Sequence, residues 1–397
     1  MPADIKSGAM NQGCIFIFCV AMQGHLTPLL PVMRAFVNKG FAVRVYSREW
    51  AAGQIEETGA VFVPAAEADT DMRFFRRDTF SSMISQARKM DGFFRQEIER
   101  WKPLFAVIDT ATVWGRLIAE KYSLRVFLSS PTMVMNRYTR VGYFREYFNM
   151  VEKESDEIER VLEELAREGF PKKTLTSLFT VGEGEDCITY VSEAIQPFSY
   201  MPGKEHIFYV GCSPRTVRPS HRFPYRWRGG LRPRIYVTQG TISSVNPWFF
   251  RSCIEAFRSW DAEIVMTIWK YIDPAQLGDI PAHIHVLREG NQREILARSD
   301  VMLCHGGLNT VTDGLTMGVP MAVYPSLVDQ YANAKRIEEL GAGIQLKDCH
   351  AQTLFRAAWL LLSSPSCRER AQALGDGLLR PDGANMAAEW MLRRLES

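Results

Sequence analysis

The residues of this chain best equipped for chemistry fall in one stretch, residues 305–334 (HGGLNTVTDGLTMGVPMAVYPSLVDQYANA), directly after the apolar run Val301–Cys304. Glycines at the carboxyl end of a strand let a ligand approach the backbone closely. A helix opening near Leu308 would aim unpaired N–H groups and the positive end of its dipole at that ligand. The occupant this arrangement favours is an anion. His305 can donate to a phosphate oxygen, and Asn309 and Thr310 add side-chain donors in the helix's first turn. Asp313, one turn further along, is an acceptor suited to ribose hydroxyls. A glycine-rich turn with a capping residue also serves purely structural ends, so the stretch takes its meaning from the rest of the chain.

Such a site needs parallel strands that feed helices, and the sequence supplies them in both halves. Residues 13–21 (GCIFIFCVA) form a continuous apolar run followed by Gly24 and by helical spacing over 27–39. Strand-like runs at 42–46, 60–63 and 106–108, the last ending at Asp109, alternate with a helical pattern at 49–58. Strands alternating with helices imply a doubly wound parallel α/β sheet. Residues 70–101 and 133–148 are rich in aromatic side chains, and 151–168 reads as a charged amphipathic helix. Proline- and arginine-rich residues near 215–233 read as a linker. Alternation resumes with strands expected at 235–238, 264–268, 283–287, 301–304 and 321–324, and residues 382–395 read as a closing amphipathic helix. The expected domains are therefore 1–215 and 234–397, joined by a linker at 216–233, with the closing helix in the second.

Composition narrows the classes. With 397 residues, 46% hydrophobic and 23% charged, the chain has material for two globular domains and is neither disordered nor fibrous. Lys+Arg 47 against Asp+Glu 45 leaves +2, so neither a nucleic-acid backbone nor an anionic membrane is expected as a partner. Eight cysteines without a C-x-x-C pair suggest a reduced, cytoplasmic setting and no metal site. His283 and His285 would share one face of a strand, with no third ligand near them in sequence. The first apolar run is about half the ~20 residues a membrane span needs, and it lacks the flanks of a signal peptide.

Taken together, these segments resemble the family 1 glycosyltransferases, the nucleotide-sugar-dependent enzymes of plant secondary metabolism and bacterial antibiotic glycosylation. That family's long signature runs His-x-Gly-x-Asn-Ser/Thr, an acidic residue, Gly-Val-Pro-Met, Pro, Asp-Gln and Asn-Ala, and residues 305–334 carry each piece in order. Residues 24–47 (GHLTPLLPVMRAFVNKGFAVRVYS), 109–122 (DTATVWGRLIAEKY) and 237–244 (VTQGTISS) are similar to other segments of the family, so the likeness spans nearly the whole chain. It implies the GT-B architecture: two facing Rossmann-like domains with the active site in the cleft between them, acceptor on the amino domain and nucleotide sugar on the carboxyl domain.

The resemblance also implies roles. His25 matches the general base that removes a proton from an acceptor hydroxyl, and Asp109 matches the carboxylate that orients the imidazole. An imidazole suits proton removal near neutral pH, and a buried carboxylate fixes its tautomer. On the donor side, His305, Gly306, Gly307, Asn309 and Thr310 match the diphosphate site, with Gly240 and Thr241 nearby, while Asp313 stands where the family usually has Glu for the ribose. Asp329 and Gln330 match the pair that binds sugar hydroxyls. A helix end and neutral donors would stabilise the leaving diphosphate, so no divalent metal and no cofactor is expected beyond the nucleotide sugar itself.

The chain departs from the pattern at one place. Where the family commonly has aromatic-x-Pro-Gln against the base, residues 289–292 read Glu-Gly-Asn-Gln, keeping Gln292 but losing the aromatic. UDP-glucose is the donor expected first, with thymidine and guanosine diphosphate sugars left open. The short length and the His-Gly-Gly-Leu wording are closer to microbial members than to plant ones. For the acceptor, Phe74, Phe75, Phe80, Phe93, Tyr138, Tyr143 and Phe144 are expected to line an apolar cleft over His25 for a polyketide, terpenoid, phenolic or macrolide alcohol. The resulting expectation is a metal-independent inverting hexosyltransferase. Its alternatives are a non-catalytic helper subunit of a partner transferase, disfavoured by the presence of both His25 and Asp109, and a nucleotide-sugar epimerase.

Overall fold

The computed structural model describes residues 12–20, 22–65, 79–199, 202–212, 232–240, 247–269 and 272–396. Thr241, Phe74, Phe75 and all of the expected linker except Arg232 and Pro233 lie outside them. In chain order the first part runs β1 (Cys14–Phe18), α1 (Gln23–Asn38), β2 (Ala42–Ser47), α2 (Ala52–Glu56), β3 (Val61–Pro64), α3 (Thr79–Trp101), β4 (Phe105–Asp109), α4 (Val113–Lys121), β5 (Val126–Ser130), α5 (Arg137–Gly142), α6 (Arg145–Glu152), α7 (Ser155–Arg167), α8 (Leu175–Phe179), β6 (Cys187–Thr189) and β7 (Ile207–Tyr209). The second runs β8 (Arg234–Thr238), α9 (Pro247–Phe257), β9 (Glu263–Thr267), β10 (Ile284–Leu287), α10 (Gln292–Leu296), β11 (Val301–Cys304), α11 (Leu308–Thr316), β12 (Met321–Val323), α12 (Val328–Glu339), β13 (Gly343–Gln345), α13 (Ala351–Leu362) and α14 (Pro365–Leu378), and α15 (Gly383–Arg393) follows.

The chain divides into two compact units, one of residues 1–191, 198–213 and 381–397, the other of 192–197 and 214–380. Each is built on a parallel sheet, ordered β3-β2-β1-β4-β5-β6-β7 in the first and β10-β9-β8-β11-β12-β13 in the second. β1 is buried at all five positions because helices cover both faces of a parallel sheet, which is why its sequence is a continuous apolar run rather than an alternation. Ile15, Ile17, Leu29, Val32, Met33, Phe36 and Val45 close one core of the first unit; Ile235, Val237, Phe250, Ile254, Met266 and Leu303 anchor that of the second.

Two expectations change here. The closing helix belongs to the first unit, not the second. α15 buries Ala387, Ala388 and Met391 in the core that α1 also lines, and Trp390 meets Phe127 and Phe208 at ring distances of 6.0 and 5.6 Å. Burying Met391 alone is worth roughly 1.5–3 kcal/mol. The first helix begins at Gln23 rather than near 27, so Pro28 and Pro31 lie inside it. Burial of Leu26, Leu29, Val32, Met33 and Phe36 at helical spacing offsets the two backbone bonds the prolines cannot make. The charged segment 151–168 is divided between α6 and α7, and β5, β6, β7 and β13 join the sheets without a matching sequence expectation.

In the second unit, α11 is fixed from outside by α14. A Cβ on Gly375 would stand 2.0 Å from the Leu315 carbonyl oxygen, so only glycine permits this approach. The packing sets the direction in which α11 points its amino end.

Candidate functional site

In the first sheet the strand order turns between β1 and β4, and in an open α/β sheet a ligand crevice forms beyond the carboxyl ends of such strands. His25 sits there, in the first turn of α1. Its Nδ1 lies 2.8 Å from Asp109 Oδ2 and 3.0 Å from Oδ1. Asp109 closes β4, is 1% exposed, and its Oδ1 also accepts the Ala111 N–H at 2.8 Å. An ionised carboxylate only accepts, so Nδ1 carries the proton and Nε2 holds the basic lone pair. The His25 side chain is 20% exposed.

The aromatic residues divide differently from the expectation. Phe80 and Phe144 are core residues, 2% and 0% exposed, and Phe80 is closed in by Tyr147 and Phe179, each with ring centres at 5.7 Å. Neither retains a face for a ligand, which corrects their assignment to the acceptor site. Tyr143 is nearly buried against Phe198, and the Tyr138 hydroxyl donates to Glu183 Oε1 at 3.0 Å. Phe93 remains 37% exposed, with one edge on Tyr46.

In the second sheet the order turns between β8 and β11. Thr238 and Cys304 are register partners there, which brings Gly240 and His305 side by side just beyond the strand ends. The imidazole fills the space above two glycines: a Cβ on Gly240 would stand 2.4 Å from His305 Cε1, and one on Gly307 would stand 2.5 Å from Nε2. Gly240 and Gly306 have φ of +62° and +87°, a region that disfavours other residues. Burial lowers the His305 pKa to about 4, so the ring is neutral at physiological pH. Its Nδ1 has no hydrogen-bond partner among the described residues. Gly307 caps α11, and Asn309 and Thr310 stand in the helix's first turn. Positive potential for an anion thus comes from the helix end and its N–H groups, not from the imidazole.

Around this turn the structure ties the remaining candidates together. Asp313 accepts from Gln292 Nε2 at 2.8 Å on Oδ2 and from Arg293 Nε at 2.5 Å on Oδ1. Arg293 was missed in sequence, because nothing in the spacing from 293 to 313 signals that α10 and α11 lie side by side. Gln330 is buried, and its Oε1 accepts from Ser326 N, Leu327 N and Ser326 Oγ at 3.0, 3.1 and 3.1 Å, closing the turn into α12. Asn333, the asparagine of the signature's Asn-Ala pair and given no role from sequence, is 2% exposed and donates to the Gly306 carbonyl at 2.9 Å and to Asp329 Oδ2 at 3.3 Å. It links the glycine turn to the carboxylate at the start of α12. Among the described residues no group of three or more His, Cys, Asp or Glu could hold a metal, and no helix is long and apolar enough to cross a membrane.

Two parallel-sheet α/β units, each with polar residues gathered where its strand order turns, define the Rossmann-like GT-B class of architecture. Residues 251–390 match the domain family described as the C-terminal domain of erythromycin biosynthesis protein CIII-like proteins. The NDP-glycosyltransferase YjiC of Bacillus licheniformis is 25% identical over 96% of this chain and 97% of its own. The demethyllactenocin mycarosyltransferase of Streptomyces fradiae is 25% identical over 96% and 86%. The solved structure of the kitacinnamycin glycosyltransferase superposes with a TM-score of 0.84 at 25% identity, covering 97% of this chain and 100% of that one. The chain is thus similar along nearly its whole length to glycosyltransferases of natural-product glycosylation, and its carboxyl-terminal part matches the domain family of the erythromycin CIII-like proteins.

Proposed function

We propose that the protein is a metal-independent inverting glycosyltransferase that moves a sugar from a nucleoside diphosphate donor to a hydroxyl of a hydrophobic natural product. The first unit holds the acceptor and the second the donor. His25 Nε2 takes the proton of the acceptor hydroxyl as that oxygen attacks the anomeric carbon. The new carbon–oxygen bond forms on the face opposite the leaving diphosphate, whose bond to the sugar breaks in the same step, so an α-linked donor gives a β-glycoside. Asp109 holds the imidazole in the reactive tautomer and stabilises its charged form. The amino end of α11, with Asn309 and Thr310, stabilises the departing diphosphate, and Asp329 takes hydroxyls of the sugar. Glucose carried by UDP is the first donor to test, and a polyketide, terpenoid, phenolic or macrolide alcohol the acceptor class.

The observation that carries this reading is the 2.8 Å contact between His25 Nδ1 and the buried Asp109 carboxylate. A helper subunit would have no use for a base held in this way. The test is incubation with UDP-glucose and a panel of hydroxylated aglycones in EDTA, with the product's anomeric configuration read by proton NMR. A β-glycoside formed at an undiminished rate in EDTA is expected. An α-glycoside would overturn inversion, and a requirement for a divalent cation would overturn the helix-end account of the leaving group.

A further inference from the structure

Asp313 stands one turn into α11 from the phosphate turn, where a carboxylate could read ribose hydroxyls. In the structure both of its oxygens already have partners within the chain, Arg293 Nε on Oδ1 and Gln292 Nε2 on Oδ2. The pair is mostly enclosed, with side-chain exposures of 12% for Arg293 and 16% for Asp313. Enclosure matters because an ion pair at the surface would open readily in water, whereas one sheltered from solvent holds its geometry. Each carboxylate oxygen can accept a second bond, yet the negative charge that would make it a strong acceptor is shared with the guanidinium. Both partners come from the first two residues of α10, so the clasp also fixes α10 against α11.

We infer that Arg293 is a positioning residue that holds Asp313 within the protein and makes the nucleoside site indifferent to the sugar's 2′-hydroxyl, so that ribose and 2′-deoxyribose diphosphonucleotides are taken alike. This rests on the reading of residues 305–313 as the nucleotide site. A site whose carboxylate is free gains a charge-assisted bond from the 2′-hydroxyl and loses it with a deoxynucleotide. Here the charge that would strengthen such a bond is already engaged by the guanidinium of Arg293.

Calorimetric titration of the whole chain with UDP and with 2′-deoxyuridine diphosphate isolates the one hydroxyl, since base and phosphates are identical. Dissociation constants within about threefold of each other are expected for the natural protein, and a preference of about tenfold or more for UDP is expected for Arg293→Met, where a charged hydrogen bond becomes available. Arg293→Lys, which keeps a cation beside Asp313, should retain a ratio close to that of the natural protein. A merely structural role for Arg293 would lower both affinities together and leave the ratio unchanged, and that result in a folded Arg293→Met overturns the inference. A tenfold preference for UDP in the natural protein overturns it without any variant. If neither nucleotide binds, the nucleotide-site reading fails and the inference falls with it.

Discussion

Where the strand order of the first sheet turns, between β1 and β4, a histidine is held by a buried carboxylate and partly open to solvent; at the matching turn of the second sheet, between β8 and β11, a histidine is packed over two glycines and buried. His25 has a counter-charge that can stabilise an imidazolium. His305 has burial instead, which holds it neutral with a pKa lowered to about 4. One residue type at one topological position is thereby given two environments: one ring sits beside a counter-charge that favours its protonated form, and the other is a buried wall held neutral. Fold alone provides the location; the neighbours decide the chemistry.

Perturbing each side separately should break the comparison cleanly. The largest effect is expected for His25→Ala, which should lower turnover by up to about 10⁴-fold, the upper end of the 10²–10⁴-fold range of a general base, while nucleoside diphosphate affinity measured by calorimetry stays within about twofold. Loss of that affinity would remove the division of labour. Asp109→Asn should follow, with turnover lower by orders of magnitude and little change in melting temperature, because an amide no longer stabilises the charged ring. Steady-state kinetics showing near-normal activity would take Asp109 out of the mechanism.

On the second unit, Gly307→Ala places a methyl group 2.5 Å from where His305 Nε2 now stands, so the ring must move. Nucleoside diphosphate affinity should fall by about tenfold, roughly one charge-assisted hydrogen bond. Unchanged titration curves would mean that His305 is a packing residue only.

The smallest effect sharpens the contrast through pH. The folded-state pKa of His305, about 4, lies below the ordinary 6.5, so between those values the unfolded chain binds more protons. The stability associated with the neutral buried ring is therefore fully present above about pH 6.5 and is lost as pH falls through 4. At 1.36 kcal/mol per pH unit, this is about 2–3 kcal/mol between pH 7 and 4.5. Urea unfolding of the natural protein and His305→Gln across that range should show the variant losing less stability on acidification. Parallel curves for the two proteins would contradict a buried neutral ring.

Much of this was legible in the chain itself, and the reasons are local. The run at β1 is apolar throughout because both faces of its strand are covered, and β11 matches its sequence expectation at both ends. The glycines at 240, 306 and 307 announce a close approach or an unusual backbone, and each proves to have one. By contrast β6, β7 and β13 have three residues each, too short to carry a period. The aromatic residues expected to meet an acceptor include Phe80 and Phe144, which are sealed in the core, because an aromatic side chain suits a cleft and a core equally well.

What the sequence determined by itself was the alternation of strands and helices, the family likeness and the positions of the two histidines, since these rest on patterns within about 30 residues. Tertiary structure alone decided that α15 returns to the first unit and that Arg293 closes on Asp313, and it set the 2.8 Å contact, across 84 residues, of the His25–Asp109 pair that the family likeness implied. Those outcomes depend on which apolar faces and which charges the packed elements bring within a few ångströms of each other. No local pattern carries that information, because a side chain's partner is set by the packing of whole elements rather than by its neighbours in the chain.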